Sequence, residues 1–161
     1  MDEKYKIAVI GAGSFGTALA ITLTGKGHEV TVWARRPQQI EEMRRTRRNT
    51  HYLPGVVLPE ALCFTDDLKQ AIAGKDLILM AVPTQTFRSV FTKAAAYLDP
   101  QIPVVNVAKG IEKGSTLRLS EVARQVLPNV RYAALSGPSH AEEVARKLPT
   151  TVVAASDDHA L

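Results

Sequence analysis

Lys6 to Ala20, KIAVIGAGSFGTALA, is the stretch that decides the fold: an apolar run, three glycines at 11, 13 and 16, then a resumed helical pattern. Ile7, Val9 and Ile10 read as a buried parallel strand, too short and too β-branched for a helix. Gly11 permits a tight turn, Gly13 lets backbone approach a pyrophosphate with no Cβ in the way, and Gly16 lets the next helix pack on the strand. The amides of Gly13, Ser14 and Phe15 then open a helix whose positive dipole end faces phosphate. A glycine pattern alone also fits an ordinary turn. Here it has a strand before it, a helix after it and a second strand from about Val30, which is the setting a dinucleotide site requires.

The helix from Ser14 ends near Gly25-Lys26-Gly27, and Val30 to Ala34 forms the second strand. About 20 residues past the glycine turn, where Asp or Glu would accept from a ribose 2′-hydroxyl, the chain reads Trp33-Ala34-Arg35-Arg36. A guanidinium fork there suits a 2′-phosphate; the alternative is a solvated pair of charges at a strand end. Pro37 opens a helix to Arg48 with Ile40 and Met43 inward, and Arg44, Arg45, Arg47 and Arg48 are expected on its solvated face. No aromatic residue interleaves them, which argues against nucleic acid. HYLPGVVLP, His51 to Pro59, reads as a loop whose Tyr52 lies over the cofactor or anchors the loop.

Thr65-Asp66-Asp67 caps a short helix through Ile72, Asp76 to Val82 is a buried strand, and a helix runs from Thr84 to about Leu98. Val104 to Val107 is the next strand, and it places Lys109 at a strand's carboxyl end, as a ligand for phosphate or carbonyl oxygen or simply as a surface lysine. Leu117 to Val126 is an amphipathic helix. Tyr132 to Leu135 then runs into a second glycine turn, Ser136-Gly137-Pro138-Ser139-His140, with Ser139 as helix cap and free amides for an anion. His140 in that first turn reads as polar surface more readily than as a general acid. Thr151 to Ala155 is a last strand, and Ser156-Asp157-Asp158 looks like the cap of a helix cut off at Leu161. Strands alternating with helices give an α/β, doubly wound parallel sheet of the Rossmann type.

The composition bounds the rest. The 161 residues, 45% hydrophobic and 22% charged, suit one globular domain. No run approaches the roughly 20 apolar residues of a membrane span, and the polar first residues do not begin a signal peptide, so a cytoplasmic protein is expected. The single cysteine, Cys63, is expected to pack as a small apolar side chain. No metal-ligand spacing or nucleophile triad can be assembled from four histidines and one cysteine. The net charge of +4 is compatible with anionic ligands without selecting one.

Taken together, GAGSFGTALA, VTVWARR, HYLPGVVLP, VAKGIEKG and LSGPSHAEEVA resemble, in order and spacing, the amino-terminal domain of bacterial NAD(P)-dependent glycerol-3-phosphate dehydrogenase. The resemblance covers essentially the whole chain. It implies reversible hydride transfer between NADP or NAD and a small phosphorylated substrate, dihydroxyacetone phosphate, giving sn-glycerol 3-phosphate for phospholipid synthesis. It implies Ser14, Phe15, Arg35, Arg36, Tyr52 and Ala141 near the cofactor, with Gly137 and Ser139 at the substrate and Lys109 touching both. Such proteins carry a second, mostly helical domain with the acid/base lysine, expected beyond Leu161, and a homodimer through that domain is left open. Another two-domain NAD(P) dehydrogenase, or a non-catalytic NAD(P)-binding sensory domain, would share the glycine turn. Neither would need both the VAKGIE and GPSHAEE segments.

Overall fold

The computed structural model describes residues 3–161. Its first strand, β1 (Lys6–Ile10), is buried on both faces: Ile7 and Val9 join one hydrophobic cluster, Ala8 and Ile10 the other. A strand buried on both sides must have helices on both sides, and the remaining elements supply them. These are α1 (Ser14–Gly25), β2 (Glu29–Trp33), α2 (Pro37–Thr46), β3 (Cys63–Thr65), α3 (Leu68–Ile72), β4 (Leu77–Met80), α4 (Thr84–Ala95), β5 (Val104–Asn106), α5 (Leu119–Val126), β6 (Tyr132–Ser136), α6 (Ala141–Ala145) and β7 (Val153–Ser156). The seven strands lie in the order β3-β2-β1-β4-β5-β6-β7. In one layer Ala18 and Ile21 of α1 pack with Ile40 and Met43 of α2; in the other Phe87 and Phe91 of α4 pack with Leu119 and Val122 of α5.

The first six strands are parallel, as the alternating pattern predicts, but β7 pairs antiparallel with β6. After α6, Lys147 takes a left-handed backbone (φ 60°), and the chain re-enters the sheet at the end it left, so Val153–Ser156 runs back along Ala133–Ser136. The strand at 63–65 is not foreseen from sequence, because three residues are too few for a period; Cys63 is exposed there while Phe64 and Thr65 are buried. Asp67 caps α3 as expected, its carboxylate accepting from the Gln70 amide at 3.1 Å. The segment 157–161 forms no helix. Asp158 instead accepts from the Ala160 amide at 2.9 Å and pairs with Arg131 at 2.7 Å.

The arginine-rich end of α2 also departs from expectation. The helix stops at Thr46, and Arg47 turns left-handed (φ 51°). Its guanidinium donates to the carbonyls of Leu62 and Glu60, both at 2.8 Å, and Arg44 donates to the Phe64 carbonyl at 2.8 Å. Two of the four arginines are therefore internal ties. They hold the 47–62 loop against β3, where carbonyls beyond a short strand lack ladder partners.

Candidate functional site

With β2 on one side of β1 and β4 on the other, the chain crosses in opposite directions at their carboxyl ends, and a crevice opens there. The crevice is a groove of about 460 Å³ floored by Gly11 to Gly16. The three glycines divide the work as their spacing predicts. Gly11 sits at φ 120°, and a Cβ on it would lie 2.5 Å from the Ala81 carbonyl oxygen. On Gly16 a Cβ would run into the Gly11 carbonyl. A Cβ on Gly13 would meet nothing within 4 Å, so the space beside it belongs to the groove. Gly13 is the N-cap of α1 and no side chain caps that helix, which leaves its first amides facing the groove.

The groove extends past Arg35 and Arg36 after β2, and past Pro83, Thr86, Ser89, Val90 and Lys93 of the β4–α4 segment; Tyr52 and Gln39 close its other side. Arg35 and Arg36 are both exposed. Arg36 donates to the Tyr52 hydroxyl, while Ser14 Oγ donates to the Tyr52 carbonyl at 2.5 Å, so Tyr52 joins the glycine turn to the arginine pair. Trp33 lines the groove and anchors itself by donating from Nε1 to the Asp66 carbonyl at 3.0 Å.

Lys109, Gly137 and Ser139 form a second group just beyond the groove, whose wall ends at Ala108. Lys109 stands on the loop after β5, and its ammonium donates to the Gly137 carbonyl at 2.8 Å, as does the Ser139 amide at 2.9 Å. Gly137 is fixed by its backbone: φ is 145°, and a Cβ would lie 2.7 Å from the Thr151 carbonyl oxygen. Ser139 does not cap α6; His140 holds the N-cap position, exposed and without a capping side-chain bond. Ala141 is buried where α6 packs on α1 and does not line the groove.

The Lys109 loop is held from α4. Thr84 Oγ1 donates to the Lys109 carbonyl at 2.6 Å, Gln85 clamps the Ile111 carbonyl (3.0 Å) and the Lys113 amide (2.9 Å), and Arg88 makes a two-pronged pair with Glu112, both bonds 2.7 Å. The Arg88 guanidinium, aided by the Ser115 hydroxyl, pulls the Glu112 carboxyl down to about 2. The carboxylate is therefore ionised, and the clamp intact, at any pH near neutrality.

Sequence reasoning missed the residues behind the glycine turn. Asn49, buried to 2% exposure, donates to the Ala12 carbonyl at 3.0 Å and to Thr17 Oγ1 at 2.8 Å, and Gln39 donates to the same carbonyl at 2.7 Å. Within RRTRRNTH an asparagine looks like any other polar loop residue, and only Gln39, in a helix's first turn, carried a positional cue. Asn49→Ala would leave a fully buried Thr17 hydroxyl without its donor. The expected cost is about 1 to 3 kcal/mol, a fall of several degrees in Tm by thermal unfolding. An unchanged Tm would remove Asn49 from the support of the turn.

Comparison with known proteins places this geometry. Residues 6–161 match the family described as NAD-dependent glycerol-3-phosphate dehydrogenase N-terminus. The chain is 48% identical over 162 residues to glycerol-3-phosphate dehydrogenase [NAD(P)+] 2 of Lactobacillus delbrueckii subsp. bulgaricus, covering 97% of the chain and 48% of that protein. It is 49% identical over 156 residues to glycerol-3-phosphate dehydrogenase [NAD(P)+] of Geobacter metallireducens, covering 95% and 47%. The solved glycerol-3-phosphate dehydrogenase of Coxiella burnetii superposes with a TM-score of 0.91 at 41% identity, over 96% of the chain and 47% of that structure. The chain thus spans about half the length of the relatives it matches. No helix among the described residues is long and apolar enough to cross a membrane. A family match over residues 6–161, with a backbone that superposes over 96% of the chain, shows that the chain belongs to the NAD-dependent glycerol-3-phosphate dehydrogenase N-terminus family.

Proposed function

We propose that this chain is the cofactor-binding half of an NAD(P)-dependent glycerol-3-phosphate dehydrogenase, acting in the cytoplasm on dihydroxyacetone phosphate. What carries the reading is the open space at Gly13 beside uncapped amides of α1, within a family named for this activity. Bound in this groove, NAD(P)H would supply hydride chemistry at the substrate's carbonyl carbon, with a proton completing the alcohol and the oxidation running in reverse. Around that chemistry the chain's residues bind and orient. The amides of Gly13, Ser14 and Phe15 hold the pyrophosphate, with Gly11 and Gly16 keeping the turn tight. Tyr52 holds the Ser14 side of the turn and the arginine side together. The ammonium of Lys109 has three hydrogens and spends one on the Gly137 carbonyl, leaving two for the nicotinamide end of the cofactor and for substrate. Gly137 and Ser139 complete this wall. Ala141 contributes through the α6–α1 packing behind the cofactor. The acid/base lysine and the grip on the substrate phosphate are assigned to a helical domain following residue 161, through which the protein would also dimerise.

Arg35, helped by Arg36, is assigned to the 2′-phosphate of NADP. Arg35→Ala is expected to cost about 1.5 to 3 kcal/mol of NADPH affinity and far less of NADH affinity, read by calorimetry or by quenching of Trp33. Equal weakening of both cofactors would sink the assignment. Absence of any NAD(P)H binding by the unsubstituted chain would sink the function itself.

A further inference from the structure

We infer that Lys93 is a third cation for the 2′-phosphate and a determinant of NADP over NAD, presented from the opposite wall to Arg35 and Arg36; this rests on the cofactor reading above. The wall is built by periodicity. Thr86, Ser89, Val90 and Lys93 recur at helical spacing along α4 and all line the groove, while Phe87 and Phe91 on the adjoining face are buried in the core. The two hydroxyls are occupied as donors. Thr86 Oγ1 donates to the Pro83 carbonyl at 2.9 Å and Ser89 Oγ donates to the Thr86 carbonyl at 2.9 Å, so toward the groove they offer lone pairs to an amino-bearing base such as adenine. Pro83 and Val90 supply apolar surface for its face.

Lys93 stands at the far end of this stripe. Among the described residues it has no carboxylate within ion-pair distance, and the same holds for Arg35 and Arg36. The groove lining contains these three cations and no Asp or Glu. A wall meant for a ribose 2′-hydroxyl needs a carboxylate acceptor, whereas three uncompensated cations facing one cavity stabilise a dianion and repel one another when it is absent. A lysine ammonium suits this place because its flexible stem lets it reach a phosphate already engaged by the planar arginine fork.

The test compares Lys93→Gln with the unsubstituted chain, titrating 2′,5′-ADP, 5′-AMP, NADPH and NADH by calorimetry. Lys93 is exposed, so the variant should keep its Tm. Affinity for 2′,5′-ADP and NADPH is expected to fall about tenfold, with 5′-AMP and NADH nearly unchanged, and the difference should shrink as salt is raised. Lys93→Glu should deepen the same selective loss. An equal loss for all four ligands, or no loss for 2′,5′-ADP, overturns the assignment. If the unsubstituted chain bound none of the four, the cofactor reading would fail instead, and the two failures are separate results.

Discussion

Replacing Gly13 with valine is expected to lower NAD(P)H affinity by about a hundredfold or more while leaving the chain folded. Gly13 has an ordinary φ of −75°, and nothing in the protein lies within 4 Å of where its Cβ would stand. The fold therefore loses only the difference between glycine and valine at an N-cap, about 1 kcal/mol. The branched side chain instead fills the open space that the proposed function assigns to the pyrophosphate. Gly16→Ala is the opposite case: its methyl would run into the Gly11 carbonyl oxygen and stand 2.9 Å from the Ala81 Cβ, neither the end of a flexible side chain, and a loss of about 3 kcal/mol or more in stability is expected. The pair is read by calorimetry for binding and chemical denaturation for stability. Full cofactor affinity in a folded Gly13→Val protein would mean that the pyrophosphate lies elsewhere.

The second large effect is catalytic. Residues 1–161 are expected to bind NADPH yet oxidise it with dihydroxyacetone phosphate at a negligible rate, while a chain continued through a second half like that of its relatives turns over. The proposed reading assigns one wall of the substrate site to Lys109, Gly137 and Ser139, a group whose Lys109 loop is held by Thr84, Gln85 and the Arg88–Glu112 pair. Charge developing on the carbonyl oxygen needs a positioned proton donor, worth about 10² to 10⁴ in rate, and loss of substrate orientation costs more again. His140 is exposed at the start of α6 and makes no side-chain capping bond there. Comparable rates in the two chains would place the acid/base group within residues 1–161, and His140→Ala would be the next variant.

The sequence by itself determined those features that local backbone chemistry dictates. The three glycines at 11, 13 and 16 specify a turn because two of them tolerate no Cβ, and β1 declares itself central because its residues are apolar on both faces. Arg35 and Arg36 follow from counting along a fold that places the end of β2 beside the glycine turn. Asp67 announced a cap because a carboxylate before a helix has one good use. The tertiary structure alone decided what depends on distant partners. A three-residue β3 has no period to read, and its strand character comes from β2. The reversed direction of β7 depends on its pairing with β6, a partner distant in the chain. Arg44 and Arg47 look like surface charges until the loop they hold is folded against them, and Asn49 becomes a buried support only when the loop brings it beneath Ala12. Nothing in the sequence singled out Lys93 on the helix from Thr84; which wall it joins was settled by the packing of α4 across the sheet, because a helix's own period fixes which residues share a face but not what that face meets.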